Sequence, residues 1–302
     1  MGLLNYIAWL ECDGLYLEKK YCDTNRVIIP QDLIINPVNK VALPVYLTMY
    51  IMDNSTIGDY YNVPVTLKNI CDRMMIFKDV QLRAVHYNMV ADAIQWLVDR
   101  GYITVDNISR KSTTSFSYRF ACDFKKVIKT NAAGKKQQFA YVYVKEIKRL
   151  FESISLSDKS WKFYVDVFSI YMYLKLKEKS WQYEQGHKMS PAWVGYLGSM
   201  YNILDISSQK VTSVIAWLKC EKIILPIYGA KEKNRNGRSE TIIIFLACCD
   251  IQNLHKTIAS IEIRLKEKNK DAHWYPAEIT DTGAEFIDEA ALDVVCDEDE
   301  LY

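Results

Sequence analysis

Two stretches of the sequence decide the fold: VADAIQWLVDRGYITV at residues 90–105 and VTSVIAWLKCEKIILPI at residues 211–227. In each, apolar residues three and four positions apart predict an amphipathic helix, and a short aliphatic segment typical of a β-strand follows. The two stretches correspond at an offset of 121, which aligns Trp96 with Trp217. The same offset aligns LTMYIM at 47–52 with FSIYMY at 168–173. A repeat this long indicates a duplicated domain.

The first copy is predicted to contain three helices and a β-hairpin. Pro44 suits the first turn of a helix that ends near Met52, and Thr66 suits the N-cap of a second helix. A third helix is predicted to end at Gly101, and the following strands enclose the polar tip NISRKSTTS. Compared with the second copy, three extra residues separate the second and third helices.

The second copy repeats this order of elements. A long aromatic helix is predicted first, and Ser190-Pro191 is predicted to open a short helix that ends near Tyr201. Ser207 or Ser208 is predicted to cap the third helix. Two strands then enclose the loop YGAKEKNRNGRSE, which contains four cations. Both halves of the chain therefore share one predicted architecture.

The repeat predicts an α+β, mainly helical fold for this chain of 302 residues, with two domains. An N-terminal hairpin and the first domain are assigned to residues 1–129, and a basic linker to residues 130–157. The second domain, with a charged C-terminal helix, is assigned to residues 158–270. Residues 271–302 are expected to form a disordered acidic tail.

Charge is distributed unevenly along the chain, although the formal net charge is only +1. Residues 281–302 contain nine acids and no Lys or Arg, so the other 28 acids and all 38 cations give residues 1–280 a charge of +10. A basic body fits a polyanionic partner. The acidic tail fits three roles, which are solubility, competition with that partner and recruitment of another protein; a solvated tail without a role is the alternative.

Several classes of protein lack their signals in this sequence. No apolar run reaches the length of a membrane span, and MGLLNYIAWLECDG lacks the basic start of a signal peptide, so we expect a soluble, cytoplasmic protein without membrane contact. The eight Cys and four His show no zinc spacing, so we expect no metal site. The motifs GxxxxGK[ST], GxGxxG, GxSxG and HExxH are missing. We therefore predict a protein that is not an enzyme, with no catalytic residues and no cofactor.

Three helices followed by a β-hairpin resemble the winged-helix group, in which the third helix of a helix-turn-helix enters the major groove of DNA and the hairpin forms a wing beside the phosphates. The tandem arrangement over about residues 27–250 is similar to the winged-helix replication initiators and replisome organisers of plasmids and phages. This resemblance implies a sequence-specific duplex-DNA-binding protein that acts in replication initiation, forms a homodimer through its first domain and contacts host replication proteins. A transcriptional regulator and a winged-helix module that binds only proteins are the alternatives.

The resemblance implies DNA-binding roles for residues in both copies. In the second copy these are Ser208, Gln209, Lys210 and Ser213 at the start of the third helix and Lys231, Lys233, Arg235 and Arg238 in the wing. In the first copy they are Lys78, Arg83, His86 and Asn88 near the third helix and Arg110 and Lys111 in the wing. Polar side chains at these places contact base edges and phosphates. A solvated loop is the alternative for the basic wing, and a dimer contact is the alternative for the first copy.

Trp96 and Trp217 occupy matching places on the apolar sides of the two third helices. Stacking on single-stranded bases is one hypothesis for these rings. We favour core packing, because both rings lie among apolar residues at helical spacing. The Tyr-rich segment FYVDVFSIYMYLKLKEK is also expected to form core.

Overall fold

A computed structural model describes residues 26–35, 38–55, 63–120, 138–177, 193–195, 197–231, 240–247 and 274–276. They form a mainly helical α+β protein with small antiparallel sheets, which confirms the prediction of a mainly helical α+β fold. The chain divides into two compact units. The first unit is Thr24–Leu176, and the second unit comprises Met1–Asp23 and Lys177–Tyr302.

The first unit begins with strand β1 (Arg26–Pro30) and helices α1 (Gln31–Ile34) and α2 (Ala42–Ser55). Strand β2 (Val63–Val65), helix α3 (Leu67–Arg73), a 3-10 turn (Met75–Phe77) and helix α4 (Ala84–Asp99) follow. Strands β3 (Ile103–Val105) and β4 (Phe116–Phe120) form a hairpin. Strand β5 (Phe139–Tyr143) and helices α5 (Val144–Leu156) and α6 (Trp161–Lys177) come last.

The core of the first unit lies where α2 and α4 pack together. Leu43, Leu47, Ile94 and Leu97 are almost completely buried there, and each such side chain contributes roughly 2 kcal/mol of hydrophobic stabilisation. The Tyr118 hydroxyl donates to the Met49 carbonyl over 2.8 Å and ties the sheet to α2. The sheet order is β2-β4-β3, and a separate two-stranded sheet joins β1 to β5.

The described part of the second unit contains strand β6 (Trp193–Gly195), helices α7 (Leu197–Leu204) and α8 (Ser208–Cys220), and strands β7 (Ile224–Lys231), β8 (Glu240–Ala247) and β9 (Trp274–Pro276). Its sheet order is β6-β8-β7-β9. Strands β7 and β8 pair over all eight of their residues. The order β6-β8-β7 repeats the order β2-β4-β3 of the first unit, because in both a short strand before the second helix pairs with the second strand of the hairpin.

The two third helices, α4 and α8, end in the same backbone motif at an offset of 121. Gly101 has a φ of 74° and Lys222 has a φ of 54°. The amide of Tyr102 donates to the Leu97 carbonyl and the amide of Ile223 donates to the Leu218 carbonyl, both over 2.9 Å. This arrangement is the Schellman motif, which requires a left-handed residue after the helix. The repeat found in the sequence is thus also present in the backbone.

Strand β6 differs from the expectation of a helix opening at Pro191. Trp193–Gly195 pair with β8 instead, because the aromatic and β-branched residues of this segment suit a strand and β8 supplies hydrogen-bond partners. The helix begins only at Leu197. Strands β2 and β6 were not predicted, because strands of three residues are too short to show an alternating pattern.

The ends of the predicted domains also differ from the structure. Trp274–Pro276 form a strand on the edge of β7 and lie within the segment that was expected to be a disordered tail. The division between the units falls at Lys177, whereas the predicted second domain began at residue 158. The difference arises because α6 is joined to α5 by buried polar contacts within the first unit. The predicted N-terminal hairpin and the helix over 250–268 lie outside the described residues.

Candidate nucleic-acid interface

Helices α7 and α8 meet at a tight corner. Only three residues separate Leu204, the end of α7, from Ser208, the start of α8. Asp205 adopts a positive φ of 51°, and Ile206 is buried beneath the turn. The Ser207 hydroxyl caps α8 by accepting from the Lys210 amide at 3.5 Å. The corner therefore consists of two helices joined by a three-residue turn, and α8 is the second of them.

The first half of α8 presents polar side chains to solvent. Val211, Val214, Ile215 and Leu218 are buried, as the predicted spacing requires. The predicted site residues of this helix are all exposed: Ser208, Gln209, Lys210 and Ser213. The helix contains no acidic residue, and its N-terminus carries the positive end of the helix dipole. This surface therefore suits an anionic partner.

The hairpin after α8 is long. Eight paired residues on each strand extend over roughly 23 Å. Lys231 is the last residue of β7 and stands opposite Glu240. Lys233, Arg235 and Arg238, predicted to contact DNA, lie outside the described residues. The described strands thus carry the chain from the end of α8 to the basic segment of the predicted wing.

The two copies of the third helix and hairpin differ in formal net charge. Residues 207–238 contain seven cations and two acids, a net charge of +5. The corresponding residues 86–117 contain three cations and three acids, a net charge of zero. At matched positions, Ser213 corresponds to Asp92 and Cys220 corresponds to Asp99. The two copies therefore carry different charges at corresponding positions of the sequence.

Lys78 binds within the first unit. Its ammonium group donates to the Ser155 carbonyl at 2.9 Å and to the Ser157 carbonyl, and it lies 3.3 Å from the carboxylate of Asp79. Its side chain is only 18% exposed. These contacts satisfy carbonyls at the C-terminal end of α5. Lys78 therefore stabilises the end of a helix, a role that the sequence did not reveal.

The start of α4 is built differently from the start of α8. Ten residues separate α3 from α4, more than the sequence comparison suggested. The Arg83 amide donates to His86 Nδ1 at 3.1 Å, and the His86 ring contacts Phe77 edge-on. His86 is therefore half-buried and caps its own helix, while Arg83 is exposed and Asn88 is half-buried. This end of α4 offers fewer exposed polar groups than α8.

Acidic residues line the exposed side of α4. The Arg110 guanidinium of the hairpin lies 2.7 Å from the carboxylate of Asp92, and Gln95 donates to Asp99 at 2.8 Å. Lys111 is exposed. The site predicted from the sequence took no account of Asp92 and Asp99, although their spacing of seven residues places them on one side of the helix. Arg110 is consequently paired with a carboxylate on the third helix.

Trp96 and Trp217 are both at least partly buried. Trp217 is buried, as expected. Trp96 is half-buried, and the Arg100 guanidinium lies 5.1 Å from the centre of its ring. Arg100 also pairs with Asp32 at 3.3 Å. Both rings thus contribute to packing around the ends of the third helices.

The described residues were compared with the requirements of a metal site and of a membrane-spanning helix. No group of three or more His, Cys, Asp and Glu side chains among them is arranged to hold a metal ion. None of the described helices combines the length and apolar composition that a membrane span requires. Comparisons with family models, curated proteins and solved structures found no match.

Proposed function

We propose that this protein binds duplex DNA sequence-specifically through two winged-helix units, and that the second unit makes the main contact. In this proposal α7 and α8 are the helix-turn-helix and the β7–β8 hairpin is the wing. Gln209 and Ser213 face base edges in the major groove, while Lys210 and the wing cations contact phosphates. The protein acts on cytoplasmic DNA without catalysing a reaction.

The difference in charge between the two copies carries the proposal. A helix that lies in the major groove passes between two phosphate backbones, so carboxylates on its exposed side are repelled. Helix α4 exposes Asp92 and Asp99, whereas α8 has no acid along its length. The net charge of +5 over residues 207–238 provides the phosphate contacts that nonspecific affinity requires.

The first unit makes weaker DNA contacts in this proposal, because Lys78 and Arg110 already bind groups of their own unit. A dimer contact through this unit is compatible with that role. The similarity of the tandem arrangement to plasmid and phage initiators leads us to favour replication initiation, with host replication proteins as partners, over transcriptional regulation. Binding-site selection on random duplexes separates these roles: AT-rich direct repeats support initiation, and a single palindrome supports regulation.

Exchanging matched residues between α8 and α4 tests which helix reads DNA. Ser213→Asp places the first copy's carboxylate in the second copy, and we expect about a tenfold or greater loss of affinity for the selected duplex. Asp92→Ser is the matched control and should not weaken binding. Both positions are exposed, so the stability of either variant should change by no more than about 0.5 kcal/mol beyond the loss of the Arg110 pair.

Fluorescence anisotropy with the selected duplex at 50 and 200 mM salt gives both affinity and salt dependence. Equal affinity of Ser213→Asp and the unmodified protein would show that α8 does not read DNA. If the unmodified protein binds no duplex even at 50 mM salt, the DNA-binding proposal is wrong and a protein-interaction module is the remaining alternative.

A further inference from the structure

Strand β9 brings the C-terminal segment of the chain to the hairpin of the second unit. It runs antiparallel to β7, with Trp274 opposite Lys231 and Pro276 opposite Gly229. Pro276 is therefore two residue positions, roughly 7 Å, from the last residue of β7. Five residues, at most about 18 Å of chain, lead from Pro276 to Asp281. The chain leaves β9 in the direction away from Lys231, but these five residues are longer than the roughly 7 Å back to the wing end of β7, so Asp281 can still reach it.

The charges of the tail and of this surface are complementary. Residues 281–302 contain nine acids and no cation, while residues 207–231 of the second unit contain four cations and one acid, a net charge of +3. A tether this short produces an effective concentration in the millimolar range. Even a weak contact between carboxylates and the cations of this surface is then populated before any DNA arrives.

We propose that residues 281–302 dock on the exposed start of α8 and the wing end of β7 when DNA is absent, and that duplex DNA displaces them. This inference rests on the proposed function, because DNA is the displacing ligand. The tail is a built-in competitor that lowers the affinity of the second unit for any duplex. It also flattens the salt dependence, because arriving DNA releases the tail in place of some counterions.

Neutralising the tail in the full-length chain tests the competition. In the test variant, the nine acids of residues 281–302 are replaced by Asn or Gln. In the matched control, Asp is exchanged for Glu and Glu for Asp at the same positions, which preserves the charge. We expect the neutral variant to bind a random 20-base-pair duplex at least about fivefold more tightly at 50 mM salt. The advantage should shrink at 300 mM salt, because salt screens both sets of charges.

Carbodiimide cross-linking of the DNA-free chain tests docking without reference to DNA affinity. Mass spectrometry should find cross-links from acids of residues 281–302 to Lys210 or Lys231 at 50 mM salt, and added duplex should remove them. Their absence, or equal duplex affinity of the neutral variant and the control, would overturn the docking proposal and leave DNA binding intact. Cross-links in a chain whose neutral variant binds no duplex would support docking and refute the proposed function.

Discussion

The ion pair between Glu146 of α5 and Lys175 of α6 provides a demanding test of how the first unit is held together. The two charged groups lie 3.2 Å apart and both side chains are only 2% exposed. The Tyr171 hydroxyl donates to Glu146 Oε1 at 2.8 Å, and the Tyr143 amide donates to Oε2 at 2.7 Å. The carboxylate is therefore buried with a cation and two hydrogen-bond donors.

Removing only the cation should be far more damaging than removing both charges. Lys175→Met leaves a buried carboxylate without its counter-charge, and we expect a loss of about 3–5 kcal/mol in the free energy of unfolding. In the double variant Glu146→Gln/Lys175→Met, the glutamine oxygen can accept from the Tyr143 amide and its NH2 group can donate to the Tyr171 hydroxyl, while methionine fills the space of the lysine stem. Its loss should stay below about 1.5 kcal/mol, since replacing both partners avoids an unpaired buried charge.

Urea unfolding followed by far-UV circular dichroism at pH 7 measures both values, with Glu146→Gln completing the double-mutant cycle. A loss below about 1 kcal/mol for Lys175→Met would refute the reasoning, because a buried carboxylate cannot lose its cation at so small a cost. A double variant as unstable as the single variant would show that packing of the lysine stem, and not charge, dominates.

Two further predictions concern Gly101 and Cys71. Gly101 has a φ of 74°, and no atom lies within 4 Å of an added Cβ. Gly101→Ala should therefore lower the free energy of unfolding by about 1 kcal/mol through the backbone alone and lower the Tm by about 3 °C. An unchanged Tm in a thermal scan would contradict the left-handed conformation. Burial raises the pKa of the Cys71 thiol to about 12, so it stays protonated at pH 8 and its reaction with iodoacetamide should accelerate only as the pH rises toward that value. Peptide mapping should show the exposed Cys220 modified first, and equal rates would contradict the burial of Cys71.

The sequence predicted the elements that are long and regular. Helices α2, α4, α6 and α8 and both hairpins follow from apolar spacing and from the repeat, because these signals extend over many residues. Strands β2 and β6 could not be predicted, because each has only three residues and becomes a strand through pairing with a strand that is distant in the sequence. The caps Thr66 and Ser207 were predictable because capping depends on neighbouring residues alone.

The candidate site was predictable to a similar degree. The exposure of Gln209, Lys210 and Ser213 follows from the spacing of the buried residues of α8. The contacts of Lys78 could not be predicted, because Ser155 is 77 residues away in the chain. Arg110 likewise meets Asp92 only once the hairpin has folded back over α4. Sequence patterns place a cation near a surface, but tertiary structure decides whether it already has a partner.

Lys222 of the second copy is a charged residue at the left-handed position that follows the third helix. Gly101 occupies the corresponding left-handed position in the first copy, where the fold alone favours glycine. A side chain in this conformation costs about 1 kcal/mol or more, whereas exposed charges elsewhere change stability by no more than about 0.5 kcal/mol. The zero net charge of the first copy shows that the backbone motif does not require the excess of +5 in the second. The second copy therefore carries a cation at a left-handed position where the first copy has an uncharged glycine, so the two copies share the helix end but differ in charge there.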